Sequence, residues 1–244
     1  MFQIKNMRSP TKVSQKRLIH VAVPVEAIDE KKKIFENIHR KQKQLLVKRA
    51  FDIAVSLFLI TLLSPLLLLI ALIIKFTSKG KVIYSNERVG MDAKHFRCYK
   101  FRSMVSDQSK KAQAYRMALE QSQQGVLLKL PNDPRVTWIG KIIRKSSIDE
   151  LPQLFNVLLG DMSLIGPRPL VPFMLTHLPE FKEIRCKVRP GITGLWQIRD
   201  RKNNTSAEFM VEHDTEYVRD YSLVMDFKIL LDTPRAVLQA DGAY

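Results

Sequence analysis

Two adjacent carboxylates, Asp149 and Glu150, stand within the segment RKSSIDELPQLFNVLLGDMSLIGPRP, which covers residues 144 to 169. Arg144 begins this segment, and Arg168 lies near its end between two prolines that fix its backbone direction. A carboxylate among arginines stays ionised at neutral pH, so it can act as a nucleophile toward phosphorus or as a ligand for Mg²⁺. The residue types are therefore compatible with chemistry on a diphosphate that the arginines hold.

The same carboxylates also suit the start of a helix. Ser147 with Glu150 matches a capping box, and Asp149 is the alternative cap, which places Pro152 in the first turn. The predicted helix ends at Gly160. Its predicted apolar face consists of Leu151, Leu154, Phe155 and Leu158. The local pattern favours capping over catalysis, yet a helix N-terminus is also a phosphate site.

The composition limits the classes of partner. The chain has 244 residues and a formal net charge of +16, which points to nucleic acid, phosphorylated substrates or an anionic membrane surface. A surface ion pair or a lipid contact also explains any single arginine, including Arg189 before a proline and a glycine. Cys98 and Cys186 lie far apart, which indicates a reducing compartment and excludes a disulfide framework.

An uncharged apolar run covers residues 53 to 74 and is long enough to span a bilayer. Hydropathy alone leaves a single crossing helix open. Ser64-Pro65 in its middle predicts a kink, with the serine hydroxyl satisfying a freed carbonyl. Both flanks are basic, through Lys41, Lys43, Lys48 and Arg49 before the run and Lys75, Lys79, Lys81 and Arg88 after it. Since basic flanks favour the cytoplasmic side, we expect a re-entrant hairpin with both ends on that face and membrane lipids as partners.

The whole pattern predicts a mostly helical α+β fold. We expect a basic N-terminal extension over residues 1–40, the membrane segment over 41–78 and a cytoplasmic catalytic domain over 79–244. The segments KVIYSNERVG and KHFRCYKFRSM predict two strands around a turn, which form the small β element. Helices are predicted for KIFENIHRKQKQLLVKRAFDIAV, SKKAQAYRMALEQSQ, PLVPFMLTHLPEFKEI and two closing segments. The third of these is expected along the membrane, and RPGITGLWQIRDRKNN is expected to be a loop.

Five stretches together resemble the bacterial sugar transferases, which are monotopic polyprenyl-phosphate hexose-1-phosphate transferases. They are ERVG, YKFRSM, NDPRVTWIGKIIRKSSIDELPQLFNVLLGDMSLIGPRPL, RPGITGLWQI and YVRDYSLVMDFKILLDT, in that order. The resemblance covers about residues 45 to 240. It implies a hairpin bent at Ser64-Pro65 on the cytoplasmic face of the bacterial inner membrane, acting in surface glycan synthesis. The sequence departs from the family pattern at Ala93, where relatives often have glycine, and in the RDRKNN loop. The departure in this loop leaves the identity of the donor sugar open.

The resemblance also implies a site. Asp149 would attack the β-phosphate of a UDP-sugar and release UMP, and membrane polyprenyl phosphate would then accept the sugar phosphate. Glu150 would bind Mg²⁺, the implied cofactor. The residues implied to bind the nucleotide-sugar phosphates are Arg144, Arg168, Arg88, Lys100 and Arg102. Arg189 is added to this set because, like Arg168, it lies on a stiff loop, here before a proline and a glycine. Whether the chain forms homo-oligomers stays open.

A second hypothesis comes from a different class of protein. The charge also suits a non-catalytic membrane adaptor that binds anionic lipid or nucleic acid, with Phe96, Tyr99 and Phe101 stacking on bases. The sequence contains no recognised nucleic-acid motif, so we expect no nucleic-acid partner.

Overall fold

The computed structural model describes residues 27–105, 133–176, 178–199 and 207–238. In chain order the helices are α1 (Ala27–Arg40), α2 (Gln42–Thr77), α3 (Trp138–Lys145), α4 (Gln153–Leu159), α5 (Pro172–Thr176), α6 (Pro179–Arg185), α7 (Leu195–Arg199), α8 (Ala207–Asp220) and α9 (Leu223–Leu238). The strands are β1 (Ile83–Val89), β2 (His95–Phe101), β3 (Ser163–Ile165) and β4 (Gly191–Thr193). The predicted mostly helical fold with a small β element is confirmed. The helix predicted for SKKAQAYRMALEQSQ lies outside the described residues.

The apolar run lies in α2, a helix with Pro65 inside it. Because proline has no N–H, the carbonyl of Thr61 loses its usual helical partner. The hydroxyl of Ser64 donates to that carbonyl at 2.8 Å, which confirms the predicted local role of the serine. Among the described helices, α2 alone is long and apolar enough to cross a bilayer. Only 11% of its most apolar stretch is buried, so it is not a core helix.

Both ends of α2 are attached to the same globular body. Near its start, Arg49 donates to the carbonyls of Val157 and Leu158 at 2.6 and 3.1 Å. Near its end, Ile70 and Ile74 are buried against residues from β2 and α3. Large exposed side chains lie between these attachments, including Leu57, Phe58, Leu62 and Leu68. The middle of α2 therefore has one apolar face exposed between the two attachments, while Val55, Leu59 and Ile60 pack against the main core.

The helix predicted to run unbroken into the membrane segment is two helices, so this prediction is wrong in detail. Lys41 separates α1 from α2, and its Nζ donates to the carbonyl of Tyr221. Asn37 donates from its amide to the carbonyl of Arg219 at 2.6 Å. These contacts with the end of α8 redirect the chain between the two helices.

The predicted hairpin is confirmed, because β1 and β2 pair antiparallel from Ile83–Phe101 to Val89–His95. Its turn holds Asp92 and Ala93 at φ values of 55° and 58°, a backbone region that glycine adopts more easily. β3 and β4 form a short parallel pair, and neither strand was predicted from the sequence. The predicted loop RPGITGLWQIRDRKNN instead contains β4 and α7.

The helix predicted after the acidic pair begins later than expected. α4 starts at Gln153, and Pro152 occupies the position before it. Asp149 and Glu150 lie one turn earlier, in a 3₁₀ turn, so neither predicted cap of α4 is correct. Ser147 enters this turn at a φ of 57°, a left-handed conformation that separates it from a helix start. Gly160 ends α4 at a φ of 93°, as predicted.

The buried face of α4 also differs from the predicted face. Leu154 and Val157 are buried, but the side chains buried beside them are the polar Gln153 and Asn156, whereas Phe155 is 46% exposed. Asn156 accounts for this rotation, because its amide accepts from the backbone N–H of Tyr99 at 2.9 Å and donates to Arg97. Long-range bonds to β2 therefore decide which face of α4 points inward.

The helix predicted along the membrane is broken into α5 and α6. Its apolar residues Leu175 and Phe181 are buried in a cluster with Val89 and Leu170, so they face the protein interior. The two closing helices are confirmed as α8 and α9. They contribute Tyr217, Val218 and Ile229 to the main core, and the connection between them adds Tyr221. This core also contains residues from α1, β2 and α4.

Candidate functional site

Asp149 opens onto a basic cleft with a volume of about 670 Å³. The cleft runs from the end of α2 along β1 and the end of β2 to the turn before α4. Its charged lining residues are Lys81, Arg88, Lys100, Arg102, Arg135, Arg144 and Asp149. Asp149 is thus the one carboxylate among the described charged residues that line the cleft. This volume suits a ligand larger than a single phosphate.

Glu150 opens onto a second, smaller recess beside the cleft. The recess is lined by Arg88, Cys98, Lys100, Glu150, Gln153, Arg168, Pro169, Gly191 and Ile192. Arg88 and Lys100 line both spaces, so the two cavities are neighbours. The adjacent carboxylates therefore face different parts of one basic site.

Burial raises the pKa of Asp149 to about 6, and the neighbouring charge of Glu150 acts in the same direction. Lys100 and Arg144 oppose this rise. The expected ionisation at neutral pH is retained, because pH 7 lies above this value. The carboxylate is nevertheless more basic than an exposed aspartate, which suits a nucleophile.

This pKa predicts a pH-dependent stability change for Asp149→Asn. Between about pH 4 and 6, Asp149 is protonated in the folded protein but ionised in the unfolded chain. The free energy of unfolding of the wild type therefore falls as the pH rises through this interval. The neutral amide avoids this cost, by at most about 3 kcal/mol above pH 6. Thermal unfolding should show a higher Tm for Asp149→Asn at pH 7.5 and little difference at pH 4.

The matched control for this prediction is Asp232→Asn, which changes an exposed carboxylate on α9. Its effect on Tm should not grow over the same pH interval. A lower Tm for Asp149→Asn at pH 7.5, or an equal gain in the control, would contradict the argument from burial.

Glu150 is held by Lys100. The Nζ of Lys100 donates to Oε1 of Glu150 at 2.5 Å, and both side chains are largely buried. Lys100 lies on β2 opposite Tyr84 of β1, so the hairpin sets its position. The hairpin thus brings a cation to the acidic pair across about fifty residues of sequence.

Arg168 is held on its backbone and on its side chain. Its carbonyl accepts a hydrogen bond from Arg185, whose guanidinium also pairs with the buried Asp214 at 3.0 Å. Its own guanidinium lies over the ring of Trp196, 5.1 Å from the centroid. Arg88 donates to the carbonyl of Pro169 at 3.2 Å. The Pro-Arg-Pro loop is therefore a fixed platform at the recess.

Two predicted site residues lie apart from the acidic pair. Arg102 donates to the carbonyl of Ser78 at 2.7 Å and lines the far end of the cleft, at the end of α2. Arg189 lines neither cavity and donates instead to the carbonyl of Gly160 at 2.9 Å. The structure therefore does not bring Arg189 to the pair, because its side chain binds the end of α4.

Arg135 lines the cleft but was not predicted as a site residue. Asp133 holds its guanidinium, with Nη2 at 2.6 Å and Nε at 3.0 Å from the carboxylate. Burial acts to raise the pKa of Asp133, but the hydrogen bonds from Arg135 hold it below its usual value. The spacing of Asp133 and Arg135 in NDPRV could have predicted a positioned arginine, because an aspartate two residues away can hold the guanidinium by hydrogen bonds.

The hypothesis of nucleic-acid binding relied on aromatic rings that could stack on bases, and two of these rings are not accessible. Phe96 and Phe101 are buried in the core, so these rings cannot stack on bases. The two rings lie five residues apart, on opposite faces of β2, and each face is covered: Phe96 packs in the main core and Phe101 against Ile74 and Ile143.

Comparison with known proteins identifies the family of this chain. The family model described as bacterial sugar transferase matches residues 43–240. An undecaprenyl-phosphate galactose phosphotransferase from Salmonella typhimurium is 42% identical over 86% of this chain and 44% of its own length. The exopolysaccharide production protein ExoY from Sinorhizobium fredii is 39% identical over 81% of this chain and 88% of its own length.

A third relative is a UDP-glucose:undecaprenyl-phosphate glucose-1-phosphate transferase from Klebsiella pneumoniae, 40% identical over 78% of this chain. The chain spans less than half the length of the Salmonella and Klebsiella relatives, but most of the length of ExoY. The family model covers most of the chain, including the acidic pair, the hairpin and the Pro-Arg-Pro loop. This chain belongs to the bacterial sugar transferase family.

Proposed function

We propose that this chain transfers a sugar 1-phosphate from a UDP-sugar to membrane polyprenyl phosphate, through a covalent intermediate on Asp149. The observation that carries the proposal is one partly buried carboxylate of raised pKa in a cleft whose other charged lining residues, among those described, are all cations. Phosphoryl transfer requires positioning and charge neutralisation more than elaborate acid–base groups. The names of the Salmonella and Klebsiella relatives describe transfer to undecaprenyl phosphate.

In the first step, an oxygen of Asp149 attacks the β-phosphorus of the UDP-sugar. The bond from this phosphorus to the bridging oxygen breaks, and UMP leaves with that oxygen. The fixed guanidiniums of Arg168 and Arg135 neutralise charge on the phosphates, and Arg144 and Lys100 are two further cations whose charges act on Asp149. In the second step, an oxygen of polyprenyl phosphate attacks the phosphorus of the intermediate and restores the carboxylate.

Magnesium fits this site as a companion of the substrate. Among the described residues, no group of three or more His, Cys, Asp or Glu side chains could enclose a metal by itself. Mg²⁺ often binds through one or two carboxylates plus substrate phosphates, and the adjacent carboxylates provide that number. Glu150 would hold the ion at the recess, where the metal would neutralise diphosphate charge. Lys100 holds Glu150 at this position.

The membrane segment fits the proposal as a re-entrant helix. Both ends of α2 attach to the globular body that holds the acidic pair, while its exposed middle is apolar and contains Pro65. A globular body on one side of the bilayer keeps both of these ends on that side. The site then stays at the cytoplasmic membrane surface, where a soluble donor and a lipid acceptor can meet.

The topology predicts the outcome of cysteine labelling. Lys43→Cys and Lys79→Cys place thiols at exposed positions before and after the apolar run. A membrane-impermeant maleimide applied from the periplasmic side should label neither position, and both should react after permeabilisation. The native Cys98 and Cys186 are buried, so they should give little background. Periplasmic labelling of one position would establish a crossing helix and contradict the re-entrant arrangement.

The function itself is tested by measuring UMP release in nanodiscs that contain polyprenyl phosphate. Purified protein is supplied with Mg²⁺ and a panel of UDP-hexoses and UDP-N-acetylhexosamines. We expect UMP and a polyprenyl diphosphosugar in equal amounts with at least one donor. Absence of UMP with every donor, from protein that is folded in the same nanodiscs, would contradict the proposed reaction.

A further inference from the structure

Arg102 is the most unusual charged residue of the cleft. Its side chain is more than nine-tenths buried, and its Nη2 donates to the carbonyl oxygens of Ile74 and Ser78. Its Nε and Nη1 are also buried, yet neither has a hydrogen-bond partner. A buried guanidinium with two unsatisfied donors is costly unless a ligand completes its bonds. A phosphate oxygen is a strong acceptor for a charged donor of this kind.

The position of Arg102 depends on Gly80. Gly80 has a φ of 119°, and a Cβ placed there would lie 2.5 Å from Nη1 of Arg102. A side chain at position 80 would therefore both strain the backbone and displace the guanidinium. Lys81 follows directly and lines the same end of the cleft with an exposed side chain. Two cations thus meet where the cleft opens at the end of α2.

This end of the cleft has the composition of a membrane boundary. α3 packs against the end of α2 through Ile139 and Ile143, while its Trp138 and Ile142 are more than half exposed. Tyr84, on the wall of the cleft beside Lys81, is also more than half exposed. Exposed tryptophan and tyrosine next to an apolar helix are typical of the bilayer interface. Asp149 lines the same cleft, so the cleft joins this boundary to the nucleophile.

We propose that Arg102 and Lys81 form the subsite for the phosphate of the lipid acceptor, separate from the cations beside the acidic pair that hold the donor diphosphate. The inference rests on the proposed function and divides its single basic site into two. The polyprenyl chain stays in the bilayer while its phosphate enters between Arg102 and Lys81. A phosphate oxygen then bonds to the phosphorus on Asp149, the bond from that phosphorus to the carboxylate oxygen breaks, and no further reactant is required.

The two half-reactions separate the subsites experimentally. The donor half-reaction is measured as exchange of labelled UMP into UDP-sugar without acceptor, and the acceptor half-reaction as the KM for polyprenyl phosphate. Lys81→Gln removes one exposed charge, so it should fold normally. We expect its KM for polyprenyl phosphate to rise about tenfold, as for loss of a charge-assisted hydrogen bond, with UMP exchange at the wild-type rate.

The matched control is Lys79→Gln, which removes an equally exposed charge two positions earlier, at a residue that does not line the cleft. Both half-reactions of this control should stay at wild-type values. Arg102→Lys tests the buried member, because it retains a charge but removes the unpaired Nε and Nη1. We expect a larger rise in acceptor KM than for Lys81→Gln, again with UMP exchange retained.

Three outcomes would overturn the assignment. Equal loss of UMP exchange and acceptor transfer in Lys81→Gln would place Lys81 in the donor site, and an unchanged acceptor KM in both variants would remove the subsite. The measurements are repeated in nanodiscs of zwitterionic lipid alone and in nanodiscs containing an anionic lipid. If Lys81→Gln changed the acceptor KM only in anionic nanodiscs, Lys81 would be a contact to lipid headgroups rather than to the acceptor phosphate. Failure of the proposed function itself would differ, since the wild-type protein would then show no UMP exchange.

Discussion

Asp149→Asn is expected to lower UMP release from the preferred UDP-sugar by at least about a thousandfold, because an amide cannot form the acyl-phosphate intermediate. Initial rates of UMP release in nanodiscs measure this loss. The same variant should be folded and more stable than the wild type at pH 7.5, owing to the burial that raises the pKa of Asp149 to about 6. Together these results would separate a chemical role from a structural one.

Trapping the intermediate gives a second measurement for Asp149. When acceptor is omitted, the wild-type peptide that contains Asp149 should gain the mass of one sugar phosphate, and the Asp149→Asn peptide should not. Asp232→Asn, an exposed control, should keep the wild-type rate and the modification. Full activity in Asp149→Asn, or modification of a different carboxylate, would rule out Asp149 as the nucleophile.

Arg168→Ala is expected to lower kcat/KM for the UDP-sugar by at least about a hundredfold, since it removes a planar fork from the phosphates of the transition state. Its backbone is held by Arg185 and its side chain lies over Trp196, so the free enzyme already fixes the guanidinium. Arg168→Lys should recover only part of the loss, because an ammonium keeps the charge but not the bidentate geometry. Steady-state kinetics across UDP-sugar concentrations measures both effects.

Arg189→Ala is the informative comparison for Arg168. Both arginines were predicted to bind phosphate, yet Arg189 lines neither cavity and binds the carbonyl of Gly160. We therefore expect Arg189→Ala to change stability without a matching loss in kcat/KM per folded molecule. Similar kinetic losses in the two alanine variants would contradict the division of roles that the structure indicates.

The features that the sequence predicted correctly depend on neighbours along the chain. The apolar run, the hydrogen bond of Ser64 across Pro65, the β1–β2 hairpin, the glycine end of α4 and the two closing helices are all encoded by residue type and spacing within one segment. The acidic pair was recognised in the same way, from its place among arginines and prolines. The family resemblance rested on these segments in their order.

The features that the sequence did not predict depend on contacts between distant segments. The inward face of α4 follows from bonds between Asn156 and β2, and the pairing of β3 with β4 joins segments more than twenty residues apart. The capping predictions were wrong because Ser147 is left-handed, a backbone state that composition alone does not indicate. Arg135 and Lys81 enter the cleft only because the loop before α3 and the start of the hairpin converge on the same opening.

By itself, then, the sequence determined which residues could carry the chemistry, namely a carboxylate pair among arginines beside an apolar segment that contains a proline. The tertiary structure alone decided which cations reach that pair. It turned Arg189 toward the end of α4, placed Arg102 at the end of α2, and aligned Lys100 with Glu150. The physical reason is that side-chain chemistry is local, whereas the direction in which a charge points is set by long-range packing and hydrogen bonds.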